Sequence, residues 1–93
     1  MLDWSLVDEN MNCEGKASSQ GRLLKIEQCS IACKELSSMF IYGTGSKCNE
    51  DGCKCWCQTT ANLYGTCDVI PLQDYNLYKY KNINKGTFLD ILS

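Results

Sequence analysis

With 93 residues, a net charge of −2 and no histidine, the chain has the size of one small domain. Its acidic balance argues against nucleic acid as a partner. Without histidine the usual Ser–His and Cys–His catalytic pairs cannot form, and no pair of carboxylates suggests a reaction centre, so we expect neither enzymatic activity nor a cofactor.

Cysteine is the informative residue type. The chain contains eight cysteines, an even number typical of a disulfide scaffold in so short a protein. A domain of this size has a marginal hydrophobic core, and a disulfide closing a loop of about 15 residues contributes roughly 3 kcal/mol. We therefore expect four disulfides and a secreted, extracellular protein. No segment is long and apolar enough to insert into a membrane. The cysteines are Cys13, Cys29, Cys33, Cys48, Cys53, Cys55, Cys57 and Cys67.

The first part of the chain predicts a strand, a loop and the one clear helix. Trp4 to Val7 alternates weakly and predicts a short strand, and the Gly/Ser-rich stretch from Gly15 to Gly21 predicts a loop. From about Leu24 to Ser37, apolar residues recur three or four apart, which predicts a helix with one buried face. Lys25 lies where a capping Ser or Asp would be expected.

The second part predicts strands joined by turns. Met39 to Tyr42 is a β-rich run that ends at a glycine, and Asp51-Gly52 signals a turn. Cys53 to Thr59 and Tyr75 to Lys81 both alternate with period two and predict strands. The fold class is therefore α+β, an antiparallel sheet of about four or five strands packed on one helix.

The cysteine spacing predicts how the helix is attached. Cys29 and Cys33 are four apart on the helix and share one face of it. Cys53, Cys55 and Cys57 are two apart on a strand, so their sulfurs also share a face. A helix lying across this strand would form two bridges. We expect Cys29 and Cys33 to bond to Cys57 and Cys55, in that order.

The remaining cysteines predict two further bridges. Cys48 with Cys53 would close a hairpin, and Cys13 with Cys67 would join the first strand to the last. The competing interpretation is a metal site, because a Cys-x-Cys-x-Cys run can hold zinc. Structural zinc sites, however, use paired knuckles with matching His or Cys partners, which this chain lacks. We therefore expect no bound metal.

One face of the sheet is a candidate binding surface. If the cysteines of the Cys53–Cys57 strand face the helix, Lys54, Trp56 and Gln58 face the other way. Tyr78 and Tyr80 share a face of the last strand. Lys54, Trp56, Tyr78 and Tyr80 could together bind a sugar ring or a protein surface. Alternatively, the same aromatic residues close a second small core.

Parts of the chain resemble the PAN/apple family. Residues 26–36, IEQCSIACKEL, followed by the aromatic run MFIYG at 39–43, are similar to its cysteine-bearing helix and "Phe-x-Tyr" strand. GCKCWC at 52–57 and Leu77-Tyr78 add to the likeness, which covers roughly residues 4–81.

This resemblance implies a twisted antiparallel sheet cradling one helix through two helix-to-sheet disulfides. It also implies a non-enzymatic extracellular module for protein–protein or protein–carbohydrate contacts, often in adhesion. The domain would span residues 1–81, and residues 82–93 would form a C-terminal tail. Two features depart from the family, namely the three alternating cysteines and Lys25 at the helix cap.

We therefore expect an extracellular module that binds a protein or glycan on a cell surface or in matrix. The alternative is a secreted toxin-like or defensin-like effector, because two helical cysteines plus Cys55-x-Cys57 also typify the cysteine-stabilised α/β scaffold. A Cys13–Cys67 bond would favour the module. Helix cysteines bonded in parallel order to Cys55 and Cys57 would favour the effector. In a protease inhibitor, a third possibility, the loop from Gly43 to Asn49 would be the reactive segment.

Overall fold

The computed structural model describes residues 3–61 and 65–81, which form an antiparallel sheet with a helix on one face. The predicted tail, residues 82–93, lies outside the described residues. The strand order is β1-β6-β3-β5-β2, and β4 pairs with β5 outside this path. The small α+β architecture is thus confirmed, with six strands instead of four or five. The elements are β1 (Trp4–Cys13), β2 (Ser18–Leu23), α1 (Ile26–Cys33), β3 (Met39–Gly43), a 3₁₀ turn (Gly45–Lys47), β4 (Cys48–Asn49), β5 (Gly52–Cys57) and β6 (Val69–Tyr80).

Strand β2 occupies part of the stretch predicted as a loop. Its residues are mostly polar, apart from Leu23 at its end, and include Gly21, whose φ of +76° lies in the left-handed region. Ser18 pairs with Cys57, and the register then shifts between Ser19 and Arg22. β2 is an edge strand of the sheet. Its place therefore comes from pairing with β5 rather than from its own apolar periodicity, which is why the sequence pattern did not reveal it.

Strands β1 and β6 are both longer than predicted, because they continue together as a two-stranded ribbon. Met11 pairs with Pro71 and Cys13 with Val69. β3 pairs with β6 only from Tyr75 onwards. At Pro71, β6 therefore pairs with β1 on one side and has no described strand on its other side. Proline lacks a backbone N–H and is tolerated where a strand has such a free side. The proline therefore does not end the strand.

Helix α1 has eight residues and is shorter than the predicted range of 24–37. At its start, Lys25 N–H donates to Gln28 Oε1 over 3.0 Å, which is the glutamine half of a capping box. At its end, Ser37 N–H donates to the carbonyl of Cys33 over 3.0 Å and closes a turn. Among the described residues, no helix has the length and apolarity needed to cross a membrane.

The sheet is buried on both faces at β3. Phe40 and Tyr42 point to the helix, whereas Met39 and Ile41 point to the other side, as the strand alternation requires. The helix-side cluster comprises Cys29, Cys33, Phe40, Tyr42, Cys55, Cys57 and Tyr80. The cluster on the opposite face comprises Cys13, Met39, Ile41, Tyr75 and Leu77.

All cysteines are paired in disulfides. Two of the predicted pairs are present, Cys13–Cys67 and Cys48–Cys53. The first ties the end of β1 to the segment that leads into β6, and the second closes the β4–β5 hairpin. Four disulfides in so small a chain are typical of extracellular or secreted proteins.

The two helix-to-strand bridges use the predicted cysteines in the opposite order. Cys29 bonds to Cys55 and Cys33 to Cys57, with Cα–Cα distances of 5.7 and 5.2 Å. Four residues advance about 6 Å along a helix, and two residues advance nearly 7 Å along a strand, so the spacings match in either order. The order depends on the direction in which the helix crosses β5. The helix runs in the same direction as β5, so the predicted pairing was wrong.

Candidate functional site

The four predicted ligand-binding residues lie on opposite faces of the sheet. Phe40 pairs with Cys57 on β5 and with Tyr78 on β6. Because directly paired residues of antiparallel strands share a face, Tyr78 lies on the helix side with the cysteines, and so does Tyr80 two residues later. Lys54 and Trp56 alternate with the cysteines of β5 and lie on the other side. The four side chains therefore do not form one patch.

Tyr78 and Tyr80 help to hold the helix side together. Tyr80 is 1 % exposed and its hydroxyl donates to the backbone carbonyl of Ser30 on α1. This burial raises the pKa of the Tyr80 phenol. The Tyr78 ring stacks on Phe40 with centroids 5.3 Å apart, and Trp4 packs edge-on against both rings. On this face the two tyrosines belong to the core under the helix, and not to a second small core shared with Trp56.

The face away from the helix contains a cavity of about 290 Å³. Trp56 from β5 and Tyr75 from β6 both line it, and the Trp56 indole Nε1–H donates to the Tyr75 hydroxyl over 3.3 Å. Lys54, the other predicted residue on this face, is not among the described lining residues. None of the described lining residues carries a charge. The remaining lining residues are Asn12, Gly15, Ala17, Ile41, Gln58 and Leu72.

Gln58 is the unusual member of this set. Its side chain is 0 % exposed, and neither Nε2 nor Oε1 has a hydrogen-bond partner among the described residues. The sequence pattern placed Gln58 on the same face as Trp56, which is correct, but it gave no sign that the carboxamide would be buried.

A buried carboxamide without partners is costly. Each buried unsatisfied polar group costs about 1–3 kcal/mol, whereas an apolar side chain of similar shape would avoid that cost. Buried polar side chains in folded proteins nearly always have partners, and exceptions call for an explanation. A ligand that supplies both a donor and an acceptor in the cavity would complete this site.

One wall of the cavity is held by contacts between the segment around Gly15 and the turn that follows Gln58. The φ of Gly15 is +116°, and a Cβ there would lie 2.7 Å from Thr60 Cγ2, so only glycine fits. Thr60 donates from its hydroxyl to the carbonyl of Glu14 over 3.2 Å. Ala61 N–H donates to the carbonyl of Gln58 over 3.1 Å. The turn that follows Gln58 is therefore tied to the connection between β1 and β2.

Three sulfurs could suggest a metal site. Those of Cys29, Cys33 and Cys55 lie within 4.8 Å of one another and are buried. Each of them belongs to one of the two helix-to-strand disulfides. Metal binding by cysteine requires a thiolate, and a sulfur in a disulfide is not one. Their proximity follows from the two neighbouring bridges.

Two larger cavities, of about 420 and 470 Å³, lie beside Cys67. The first is lined by exposed apolar residues such as Val7 and Val69, and the second by polar residues such as Asp68. Within the described residues, neither contains a buried polar side chain without a partner. The cavity at Trp56 and Gln58 is therefore the stronger candidate site.

Comparison of the chain with protein-family models, with curated proteins and with solved structures found no match.

Proposed function

We propose that this protein is an extracellular recognition module that binds a protein or glycan partner through the cavity on the sheet face away from the helix. The observation that carries the proposal is the Gln58 carboxamide, buried beside Trp56 and Tyr75 and without a hydrogen-bond partner in the described chain. Recognition of this kind requires no catalysis, in line with the absence of histidine from the chain.

The disulfide framework supports an extracellular role. The bridges attach α1 to β5 in two places and join β1 to the segment before β6. A sheet held in this way presents its free face on a rigid frame, which lowers the entropy cost of binding. A sheet bonded twice to one helix is also what the resemblance to PAN/apple modules implies, and this likeness favours adhesion or surface assembly.

The binding residues differ from those that the sequence suggested. Trp56 remains in the proposed site, and Gln58 and Tyr75 join it. Tyr78 and Tyr80 are replaced because they pack under the helix. Lys54 lies on the correct face of β5 outside the cavity lining, where it could contact a partner that extends beyond the cavity.

A diffusible toxin-like effector is the second candidate. The parallel order of the Cys29–Cys55 and Cys33–Cys57 bonds favours it. The Cys13–Cys67 bond favours the recognition module instead, because the module was expected to join its first strand to its last in this way. The two functions differ in what they predict for the cavity, since only the module needs an intact Trp56 for its activity.

The test uses the chain's two tryptophans as a matched pair. Wild-type protein, Trp56→Ala and Trp4→Ala are applied to an array of extracellular-matrix proteins and glycans, after near-UV circular dichroism has shown that each is folded. We expect Trp56→Ala to lose at least tenfold in affinity for the wild-type target and Trp4→Ala to keep it. If Trp56→Ala and Trp4→Ala both bind the target as tightly as wild type, the cavity is not the binding site. If the wild-type protein blocks ion-channel currents and Trp56→Ala blocks them equally well, the result would support the toxin-like effector.

A further inference from the structure

We infer that the cavity binds one neutral sugar ring, with two adjacent hydroxyl groups of the ring bonded to the Gln58 carboxamide. This inference rests on the proposed function and names the ligand class that the same site would take. It follows from the lack of charged residues in the cavity lining, the geometry of an unpaired carboxamide and the neighbouring aromatic groups.

The lining excludes strongly charged ligands. None of the described residues that line the cavity is ionised, and the nearby Lys47 Nζ lies 5.7 Å from the centroid of the Tyr75 ring. The polar groups of the lining are the side chains of Asn12, Gln58, Trp56 and Tyr75. A carboxylate, phosphate or sulfate entering the cavity would lose hydration without gaining a charged hydrogen-bond partner in the lining. Sulfated or sialylated glycans and charged peptide side chains are therefore poor occupants, whereas a neutral polar ligand is compatible with every lining group.

The carboxamide favours a pair of hydroxyls over a peptide group. Gln58 offers a donor, Nε2–H, beside an acceptor, Oε1, and both are unpaired. A hydroxyl both donates and accepts, so two adjacent hydroxyls satisfy both atoms whichever way round the amide is placed. The N–H and C=O of a trans peptide point in opposite directions, so one peptide unit cannot pair with both atoms. Among neutral ligands, a sugar ring presents such a hydroxyl pair.

The aromatic groups add a stacking surface and a third polar contact. The Trp56 indole provides a flat face of the kind that packs against the C–H groups of a sugar. The Tyr75 hydroxyl accepts the indole hydrogen bond, and its own proton has no acceptor among the described residues. It can therefore donate to a ligand oxygen. A volume of about 290 Å³ lies at the low end for ligand cavities, which suits a single ring.

The ligand reaches Gln58 by moving Trp56. Because the carboxamide has no exposed surface, a lining side chain must turn aside before contact. Trp56 is half-buried, lies two residues before Gln58, packs against the core cluster of this face and donates one long hydrogen bond of 3.3 Å. Rotation of the indole is the movement by which we propose that the carboxamide becomes accessible to the sugar.

The test is a titration of the uniformly ¹⁵N-labelled chain followed by amide NMR. The probes are the neutral monosaccharides glucose, galactose, mannose, N-acetylglucosamine and fucose, with sialic acid, acetamide and a blocked Gly-Asn-Gly peptide as comparisons. We expect at least one neutral sugar to shift the Trp56 Nε1–H and Gln58 Nε2–H signals in a saturable way. A primary amide can also pair with both carboxamide atoms but offers no ring for the Trp56 face, so we expect the sugar to bind more tightly than either amide probe. We expect sialic acid to leave both signals in place.

Matched variants connect these shifts to the carboxamide. Gln58→Met removes the polar atoms at nearly constant volume, and Gln73→Met makes the same change at an exposed position of β6. Gln58→Met should weaken sugar binding about tenfold or more, the loss expected for one or two hydrogen bonds, and Gln73→Met should bind like wild type. Equal sugar binding by Gln58→Met would overturn the assignment of Gln58.

The outcomes separate this inference from the proposed function. If acetamide or the asparagine peptide shifts both signals and no sugar does, the sugar class is wrong and the cavity remains a protein-recognition site. If no probe shifts either signal, the sugar inference is overturned. The matrix and glycan array with Trp56→Ala then decides by itself whether the cavity recognises any partner.

Discussion

At the scale of single residues, the arrangement of Trp56 and Gln58 shows how strand alternation locates a site. The alternation of β5 placed both side chains on the face away from the helix, and the structure agrees. Alternation says nothing about depth, however. Whether Gln58 is solvated or buried depends on the turn that follows β5, which is tied through Thr60 to the β1–β2 connection.

Gln58→Met is predicted to keep or raise the stability of the free protein. The substitution removes two buried polar atoms that lack partners in the described chain, and relief of that cost contributes up to about 1–3 kcal/mol. Urea unfolding of wild type and variant, with Gln73→Met as control, measures the change. A loss of more than about 2 kcal/mol in Gln58→Met alone would show that the carboxamide has a structural partner.

Tyr80 is predicted to make the protein sensitive to alkali. Burial raises the pKa of its phenol well above the ordinary value of about 10. The folded protein then holds the proton more tightly than the unfolded chain does. The associated stability is fully present below about pH 10 and falls as the pH rises further.

Tyr80→Phe should flatten this decline, although Tyr42, whose pKa burial also raises, leaves part of it. The measurement is the free energy of unfolding of both proteins between about pH 9 and 11, a range that begins below the ordinary phenol pKa. The same alkaline slope in both would contradict the assignment to Tyr80.

At the scale of elements, pairing between strands determines what the local patterns could not. Strand β2 is mostly polar and was predicted as a loop, yet it pairs with β5. The β4–β5 turn was predicted from Asp51-Gly52, and Gly52 turns out to have a second role. Its φ is +117°, and a Cβ there would collide with the backbone carbonyl of Leu23 at the end of β2.

Gly52→Ala is therefore predicted to be far more destabilising than Gly21→Ala. Gly21 also has a positive φ, but nothing lies within 4 Å of the added Cβ, so its substitution should cost about 1 kcal/mol from backbone strain alone. Gly52→Ala adds a backbone collision and should cost about 3 kcal/mol or more. Thermal and urea unfolding measure both values. Similar costs would mean that β2 can move away from β5 without penalty.

The disulfides should contribute according to the loops they close. Removing Cys33–Cys57 with two alanines opens a loop with a sequence separation of 24, and removing Cys48–Cys53 opens one of 5. The chain-entropy relation gives losses of roughly 3.5 and roughly 2 kcal/mol. Unfolding of the two double variants tests this order. A larger loss at Cys48–Cys53 would show that the hairpin bond stabilises chiefly through native contacts.

At the scale of the whole molecule, two thin layers of core lie on either side of one sheet, and each layer contains disulfide bonds. The described residues extend over 46 × 25 × 19 Å, so no part of the interior is far from solvent. A domain of this shape buries little apolar surface, and the bridges supply stability that the core lacks.

The native protein is accordingly predicted to be lighter than its reduced form by eight hydrogen atoms, since every cysteine is in a disulfide. Reduction should also abolish the near-UV circular dichroism signal. Intact-mass spectrometry under native and reducing conditions measures the difference. Eight free thiols in the folded protein, or a metal ion released together with the fold, would overturn the disulfide framework.

The sequence by itself determined the class of protein: a cysteine-rich α+β domain with the helix bonded to one alternating strand. These features are local, because helical and strand periodicities place each set of sulfurs on one face without reference to the rest of the chain. Only the tertiary structure decided the order of Cys29 and Cys33 along β5, the face taken by Tyr78 and Tyr80, and the burial of Gln58. Each of these depends on the direction or register of an element relative to its neighbours, and a shift of one residue moves every side chain of a strand to the other face.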